Sequence, residues 1–168
     1  MLPKSDVVVT YRFDNGPLNG PHKLQVSYSQ AGERVRLDFF RWMEAKVPYK
    51  SVIFDRPGNR HIAVYPERKA YTEDPAGDEN PGAVLRADVM FSRQGRDMVA
   101  HAPCTEWRIE TPGKDFGDTA CVTDDGIVLR MASTKPSVAS MIATTIHYGT
   151  PPDGIFIPPE GFRRESPS

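Results

Sequence analysis

The chain has 168 residues, 21 basic and 22 acidic side chains and a net charge of -1, so no global field draws it to nucleic acid or to an anionic membrane. No run approaches the roughly 20 apolar residues of a membrane-spanning helix, which excludes a transmembrane segment of that kind. The 16 prolines and 39% hydrophobic content suit one β-rich domain of short strands joined by turns.

The N-terminus enters a strand pattern directly, with no charged leader, apolar core or cleavage site. A signal peptide is expected to have been left off ahead of Met1, secretion itself being expected from the pair Cys104 and Cys121. Asp6 to Phe13 alternates Val7, Val9, Tyr11 and Phe13 against Val8, Thr10 and Arg12, a strand with one buried face. After the connection DNGPLNGPH, Lys23 to Ser29 alternates Leu24, Val26 and Tyr28 with polar residues. It pairs through Ala31-Gly32-Glu33 with Arg34 to Phe39, where Val35, Leu37 and Phe39 oppose Arg34, Arg36 and Asp38. Both strands are amphipathic, so one side of this hairpin is wet and a doubly covered parallel sheet is excluded.

Residues 40–50, FRWMEAKVPYK, read as irregular, with exposed aromatics. Ser51 to Asp55 and Arg60 to Tyr65 form the next hairpin around Arg56-Pro57-Gly58-Asn59, and a tight turn at Pro66-Glu67-Arg68 leads to Lys69 to Thr72. Beyond the linker EDPAGDEN, one helix is predicted over 81–94. Asn80 caps it, Pro81 suits its first position, Gly95 stops it, and Val84, Leu85, Val89, Met90 and Phe91 require burial over most of its circumference.

Cys104 to Met131 reads as three antiparallel strands turning at Pro112-Gly113 and Asp125-Gly126. With Thr111 facing Lys114, Cys104 falls opposite Cys121, at disulfide distance. An L-Pro-Gly turn suits a tight hairpin poorly, so a wider loop reaching Gly117 stays open. Trp107 and Ile109 share a face with Ala120 and Val122. The cysteines share the other, polar face with Glu106, Arg108 and Thr119, and Val122 pairs with Leu129 across the second turn. A closed loop of this size stabilises by roughly 3 kcal/mol and implies an oxidising compartment, the periplasm first. Two unrelated buried thiols are the alternative. Pro136 to Tyr148 is a long strand, and Ile155-Phe156-Ile157 docks before the tail frays over 163–168.

Chemistry is sparse. His22, His61, His101 and His147 show no metal spacing and no recognisable base-nucleophile pattern, so no metal, cofactor or catalytic residue is expected. Asp124 and Asp125 belong to a type I′ turn closed by Gly126. The apolar face carrying Tyr11, Tyr28, Phe39, Phe54 and Trp107, with Val84 and Phe91 of the helix, is either a self-filled core or the lining of a cavity for an acyl chain. Aromatics on a sheet also stack single-stranded nucleic acid, but no basic groove accompanies these.

The runs GERVRLDFF, SVIFDRPGNRHIAVYPERKAYTE, the CTEWRI and ACVTDDGIVLRM pair and the closing IFIPPEGF resemble the periplasmic lipoprotein-carrier (LolA/LolB-like) superfamily, nearest to its uncharacterised proteobacterial members. The likeness runs from about Asp6 to Phe162. It implies a mainly β (α+β) fold, a curved antiparallel half-barrel covered by a helix, in one domain over residues 1–168. It also implies a non-enzymatic periplasmic protein that takes a lipid, an acyl chain or a lipoprotein, or an envelope protein partner, on its concave face. The arginine that carriers place on an early strand matches either Arg34 or Arg36. An envelope scaffold with a self-filled core is the alternative, and a small hydrolase or isomerase with a pocket carboxylate or histidine is the third reading.

Overall fold

A computed structural model describes residues 3–14, 21–75, 90–113, 117–133 and 140–166. The strands are β1 (Val7–Asp14), β2 (Pro21–Ser29), β3 (Arg34–Phe40), β4 (Lys50–Asp55), β5 (Arg60–Tyr65), β6 (Ala70–Pro75), β7 (Met90–Val99), β8 (Ala102–Glu110), β9 (Gly117–Val122), β10 (Val128–Ser133), β11 (Ser140–Tyr148) and β12 (Arg163–Arg164). They form one open sheet in the order β12-β6-β5-β4-β3-β2-β1-β11-β10-β9-β8-β7. Two antiparallel meanders, β1 to β6 and β7 to β11, are therefore welded where β1 pairs with β11. Only β12, beside β6, runs parallel to its neighbour.

The sheet is strongly curved. In a flat sheet β7 and β11, four places apart, would lie roughly 19 Å from each other, yet their Cα atoms approach within 8 Å. Bulges mark the bend, one where Thr10 and Tyr11 meet β11 and one between Val128 and Arg130.

Alternation along β1 to β3 places Val7, Val9, Tyr11, Leu24, Val26 and Val35 in the main core, as expected. Cross-strand pairs Val9 with Val26, Tyr11 with Leu24 and Tyr28 with Val35 line up these residues in rows. The opposite face of this hairpin is polar, but further along the sheet it is not wet. On β4 and β5 that face carries Ile53, Ile62 and Val64, and the chain after β11 crosses back to cover them. Phe156, in a 3₁₀ turn over Asp153–Phe156, fills this second core, and Arg36 Nη1 donates to the Ile155 carbonyl at 2.7 Å. Arg36 is itself held by Asp38 at 2.9 Å, and Ser51 Oγ bonds the same carboxylate. The tail expected to fray instead adds β12, with the Glu165 amide donating to the Tyr71 carbonyl at 2.8 Å.

The predicted helix is corrected where the structure describes it. Residues 81–89, Val84 among them, lie outside the described residues, while Met90 to Gln94 are the first half of β7 and exposed. Met90 and Phe91, exposed on an edge strand, mimic the end of the expected helical stripe. The hairpin that follows turns on Ala100 and His101, both at positive φ (50° and 63°), positions where Asn or Gly would have signalled a type I′ turn.

The disulfide forms, with an S–S distance of 2.01 Å and Cα atoms 5.4 Å apart. Its setting differs from expectation in two ways. Glu110 pairs with Gly117, so the first loop is the wider one and the register moves by two residues: Cys121 faces Glu106, and the bridge runs diagonally. A two-residue shift preserves the faces, so Trp107 still shares a face with Ala120, which becomes its direct partner in place of Asp118. Both cysteines are also 0% exposed and part of the main core rather than on a wet surface. Arg130, facing Cys121, bridges Glu106 at 2.8 Å and Asp97 at 3.0 Å along the same face.

The second turn is a three-residue loop closed by Thr123 and Ile127, and only Gly126 has positive φ (92°). Asp124 and Asp125 thus occupy ordinary backbone, not the expected type I′ turn. Beyond the bulge at Leu129 the anticipated register returns, with Arg130 opposite Cys121.

Three outcomes test this architecture. Replacing both cysteines by alanine should lower stability in urea unfolding by about 2–4 kcal/mol, and added reductant should then have no further effect. Phe156→Ala should release the back strap before the sheet melts, seen as faster hydrogen exchange at Glu165 than at Val26. The third concerns Glu73, whose carboxyl is held below the usual glutamate range by hydrogen bonds from Arg60, at 2.7 and 3.2 Å. A depressed carboxyl stabilises above its unfolded pKa and loses that contribution as pH falls through the folded value. Arg60→Gln should cost up to about 1 kcal/mol near neutral pH. In acid unfolding series the gap between variant and parent should close as Glu73 protonates.

Candidate functional site: an apolar cleft at one rim

The ends of β1, β2 and β3 meet the β3–β4 connection, residues 41–49, at one rim of the sheet. Two adjoining clefts open there. One, of about 330 Å³, is lined by Phe13, His22, Lys23, Leu24, Phe39, Phe40 and Tyr49. The other, of about 280 Å³, lies between Arg41, Trp42, Ala45, Val47, Pro48, Tyr49, Pro66 and Glu67. Tyr49 is the wall they share.

Strand register builds the first cleft. Phe13 faces His22 across β1 and β2, and Leu24 faces Phe39 across β2 and β3, which brings three apolar side chains from successive strands to the same end. The connection is tied down at several points. Tyr49 donates its amide to the Phe39 carbonyl at 2.9 Å, and its ring lies 6.5 Å from that of Phe39. Lys23 Nζ donates to the Ala45 carbonyl while lying 4.1 Å above the Phe40 ring. His22 Nδ1 is 2.6 Å from the Arg41 carbonyl, which can only accept, so Nδ1 carries the proton. Arg41 reaches across to Glu67 at 2.9 Å and stacks 5.0 Å from the Tyr49 ring.

These restraints fix the loop backbone while leaving its apolar side chains in water. Trp42 is 54% exposed and Val47 70%. Trp42 and Val47, held on a restrained loop, form an exposed apolar patch beside the apolar clefts. Lys23 and Arg41 are the basic groups of the lining and Glu67 the acidic one, while Lys50 and Arg68 are set against the Tyr65 ring at 5.9 and 4.5 Å.

Of the side chains proposed from sequence to line a ligand face, Phe39 lines the cleft. Tyr11 is buried, and its hydroxyl donates to the Val128 carbonyl at 2.5 Å, bridging the two meanders; burial, with the Tyr28 charge adding to it, drives its pKa well above the ordinary tyrosine value. Tyr28 packs on the same core, and burial pushes its pKa up to about 12. Phe54 also packs there and stacks on His61 with centroids 4.5 Å apart. Trp107 sits half-buried near the far end of the sheet and Phe91 on its edge, apart from the cleft. Arg34 and Arg36 lie on the back face, Arg34 against Asp55 at 3.2 Å and Arg36 under the strap, so neither faces the core side.

Phe13, His22, Leu24, Trp42, Val47 and Tyr49 were missing from the expected set. The signal for the last three was the aromatic content of FRWMEAKVPYK, a run with no strand or helix period to absorb it. Among the described residues no group of three or more metal-binding side chains gathers, and no histidine is hydrogen-bonded to a carboxylate. No helix among them is long and apolar enough to cross a membrane.

No family model matches the chain, and no curated protein matches it. Solved structures share its fold. An uncharacterized conserved protein from Thermus thermophilus superposes with a TM-score of 0.67 at 9% identity, over 98% of this chain and 91% of that one. MucB in the MucA/MucB complex of Pseudomonas aeruginosa gives 0.61 at 12% identity, over 92% of this chain and 56% of that one. The chain thus spans a little over half of that neighbour's length. A putative outer membrane lipoprotein-sorting protein domain from Vibrio parahaemolyticus gives 0.44 at 8% identity, over 90% and 89%. The curved open sheet is therefore a MucB-type architecture, shared at identities where fold alone is comparable. A covering helix, expected from the sequence, is not part of the described structure.

Proposed function

We propose that this chain is a non-enzymatic binding domain of the bacterial periplasm that holds an apolar group, the acyl part of a lipid or lipoprotein, at the rim between Leu24, Phe39 and Tyr49. The observation that carries this reading is the pair of clefts sharing Tyr49, with Trp42 and Val47 exposed beside them. A cleft of about 330 Å³ falls at the small end of ligand sites, roughly 300–1,000 Å³, so a short apolar segment fits and a whole lipid does not. The buried disulfide supports the compartment, because such a bond persists where the surroundings are oxidising.

A scaffold reading is favoured by one specific observation. Tyr11, Tyr28 and Phe54 pack into the chain's own core and leave the middle of that face filled. In that case the rim receives an apolar segment of an envelope protein instead of an acyl chain, a use compatible with the fold's likeness to MucB, which was solved in complex with MucA.

The test is displacement of an apolar fluorescent probe, together with native mass spectrometry of gently purified protein. The carrier reading expects bound lipid and a probe that brightens, and Tyr49→Asp or Trp42→Asp should weaken probe binding about tenfold, a loss of roughly 1.4 kcal/mol. Protein without lipid that leaves the probe dark would sink the carrier reading and leave the scaffold.

A further inference from the structure

At the opposite end of the sheet from β12 lies a second surface, independent of the rim cleft. β7 is ten residues long, roughly 33 Å of strand, and among the described residues nothing pairs with its outer side. The other end of the sheet is guarded by the two-residue β12 and by Pro75. Bare edges of this length are ready templates for another strand, and folded proteins usually blunt them. We propose that β7 is a docking edge for an extended, acidic segment of a partner protein, added as a further antiparallel strand.

The choice of occupant follows from how β7 displays its charges. Its register on β8 pairs Phe91 with Ile109, Arg93 with Trp107, Arg96 with Thr105 and Met98 with Pro103. Those β8 positions are two apart and share one face, so Phe91, Arg93, Arg96 and Met98 do too. The bulge between Arg93 and Gly95 absorbs the extra residue and compresses the three-residue spacing of the arginines into one strand repeat. A regular antiparallel strand of the pattern apolar-x-acidic-x-acidic-x-apolar therefore meets Met98, Arg96, Arg93 and Phe91 in turn. Both ends of that row are exposed apolar groups, Met98 at 63%.

The charges on this face are uncommitted or weakly held. Arg93 has no ion pair among the described residues, and Arg96 touches Asp124 at 3.3 Å, an exposed pair worth little. The acidic residue of the strand, Asp97, points to the other face and is tied inward to Arg130 at 3.0 Å. A second copy of this chain fits poorly. The register that pairs the whole of β7 with its own two-fold mate sets Arg93 opposite Arg96 twice, and like charges directly opposite are destabilising. The same two arginines that repel a copy attract an acidic strand, and main-chain hydrogen bonds supply the remaining affinity.

The probe is a fluorescein-labelled nonapeptide, Thr-Val-Thr-Glu-Thr-Glu-Thr-Val-Thr, read by anisotropy against the full chain. It should bind saturably, and its Glu→Lys counterpart should not. Arg93→Glu with Arg96→Glu should weaken the acidic peptide about tenfold, the sum of two exposed charge pairs, and confer binding of the lysine peptide. That exchange of preference also shows that the variant is folded. Backbone N-methylation along one edge of the acidic peptide should abolish binding, and hydrogen exchange should slow at β7 amides and not at those of β2. Absence of binding, binding indifferent to the charge reversal, outer β7 amides already protected in the free protein, or a dimer in sedimentation that pairs β7 with itself would each overturn the proposal.

Discussion

The pairing of β1 with β11 is the joint on which the molecule depends. Val7 to Asp14 and Ser140 to Tyr148 come from opposite ends of the chain, yet they are neighbours in the middle of the sheet. Without that contact the chain is two separate meanders, each with an unpaired edge and half a core. The joint is reinforced at its lower end, where the Lys4 amide donates to the Asp125 carbonyl and the Gly149 amide to the Asp6 carbonyl. Inside it, the Tyr11 hydroxyl satisfies the Val128 carbonyl, a backbone acceptor beside the bulge of β10. Closing so long a loop costs entropy that grows only slowly with length, so the penalty falls more on folding rate than on stability.

Curvature follows from the same joint. Bulges in the β1–β11 and β10–β9 pairings let the second meander curl until β7 meets β11 again, and the disulfide between β8 and β9 holds that curl around the part of the main core made by Val99, Cys104, Cys121, Ile127 and Leu129. The first meander is treated differently: its back face is covered by the chain's own C-terminal strap, through Phe156 and the Arg36 bond to Ile155. Much of both faces is thereby occupied by the protein itself. Among the described residues the exposed features left are at the periphery: a rim of loops with an apolar cleft, and one long strand edge.

That distribution bears on chemistry. The buried carboxylate Asp55 is bonded to Arg34 and to the Gly58 amide. Asp38 is likewise engaged by Arg36 and Ser51. Their hydrogen-bonding capacity goes into holding strand ends and the strap. His61 stacks on Phe54, His22 holds a loop carbonyl, and His101 occupies a left-handed turn position.

The sequence by itself determined the strands whose side chains alternate, the faces they present, the hairpins Lys23 to Phe39 and Ser51 to Tyr65, whose turns carry a Gly, and the disulfide between Cys104 and Cys121, though not its register. These are local consequences of a period of two and of Gly, Pro and Asp at turns. It misread Met90 to Gln94 as helix because Met90 and Phe91, exposed on an edge strand, continue the apolar sequence pattern of Val84 to Val89 instead of alternating, and because Ala100 and His101 hide a left-handed turn. Tertiary structure alone decided that β1 joins β11, that the cysteine face is dry, that the tail seals the back of β4 and β5, and that Phe13, Leu24, Phe39 and Tyr49 converge on one rim. Each depends on contacts between residues far apart in the chain, where strand patterns state which side is apolar but not what will cover it.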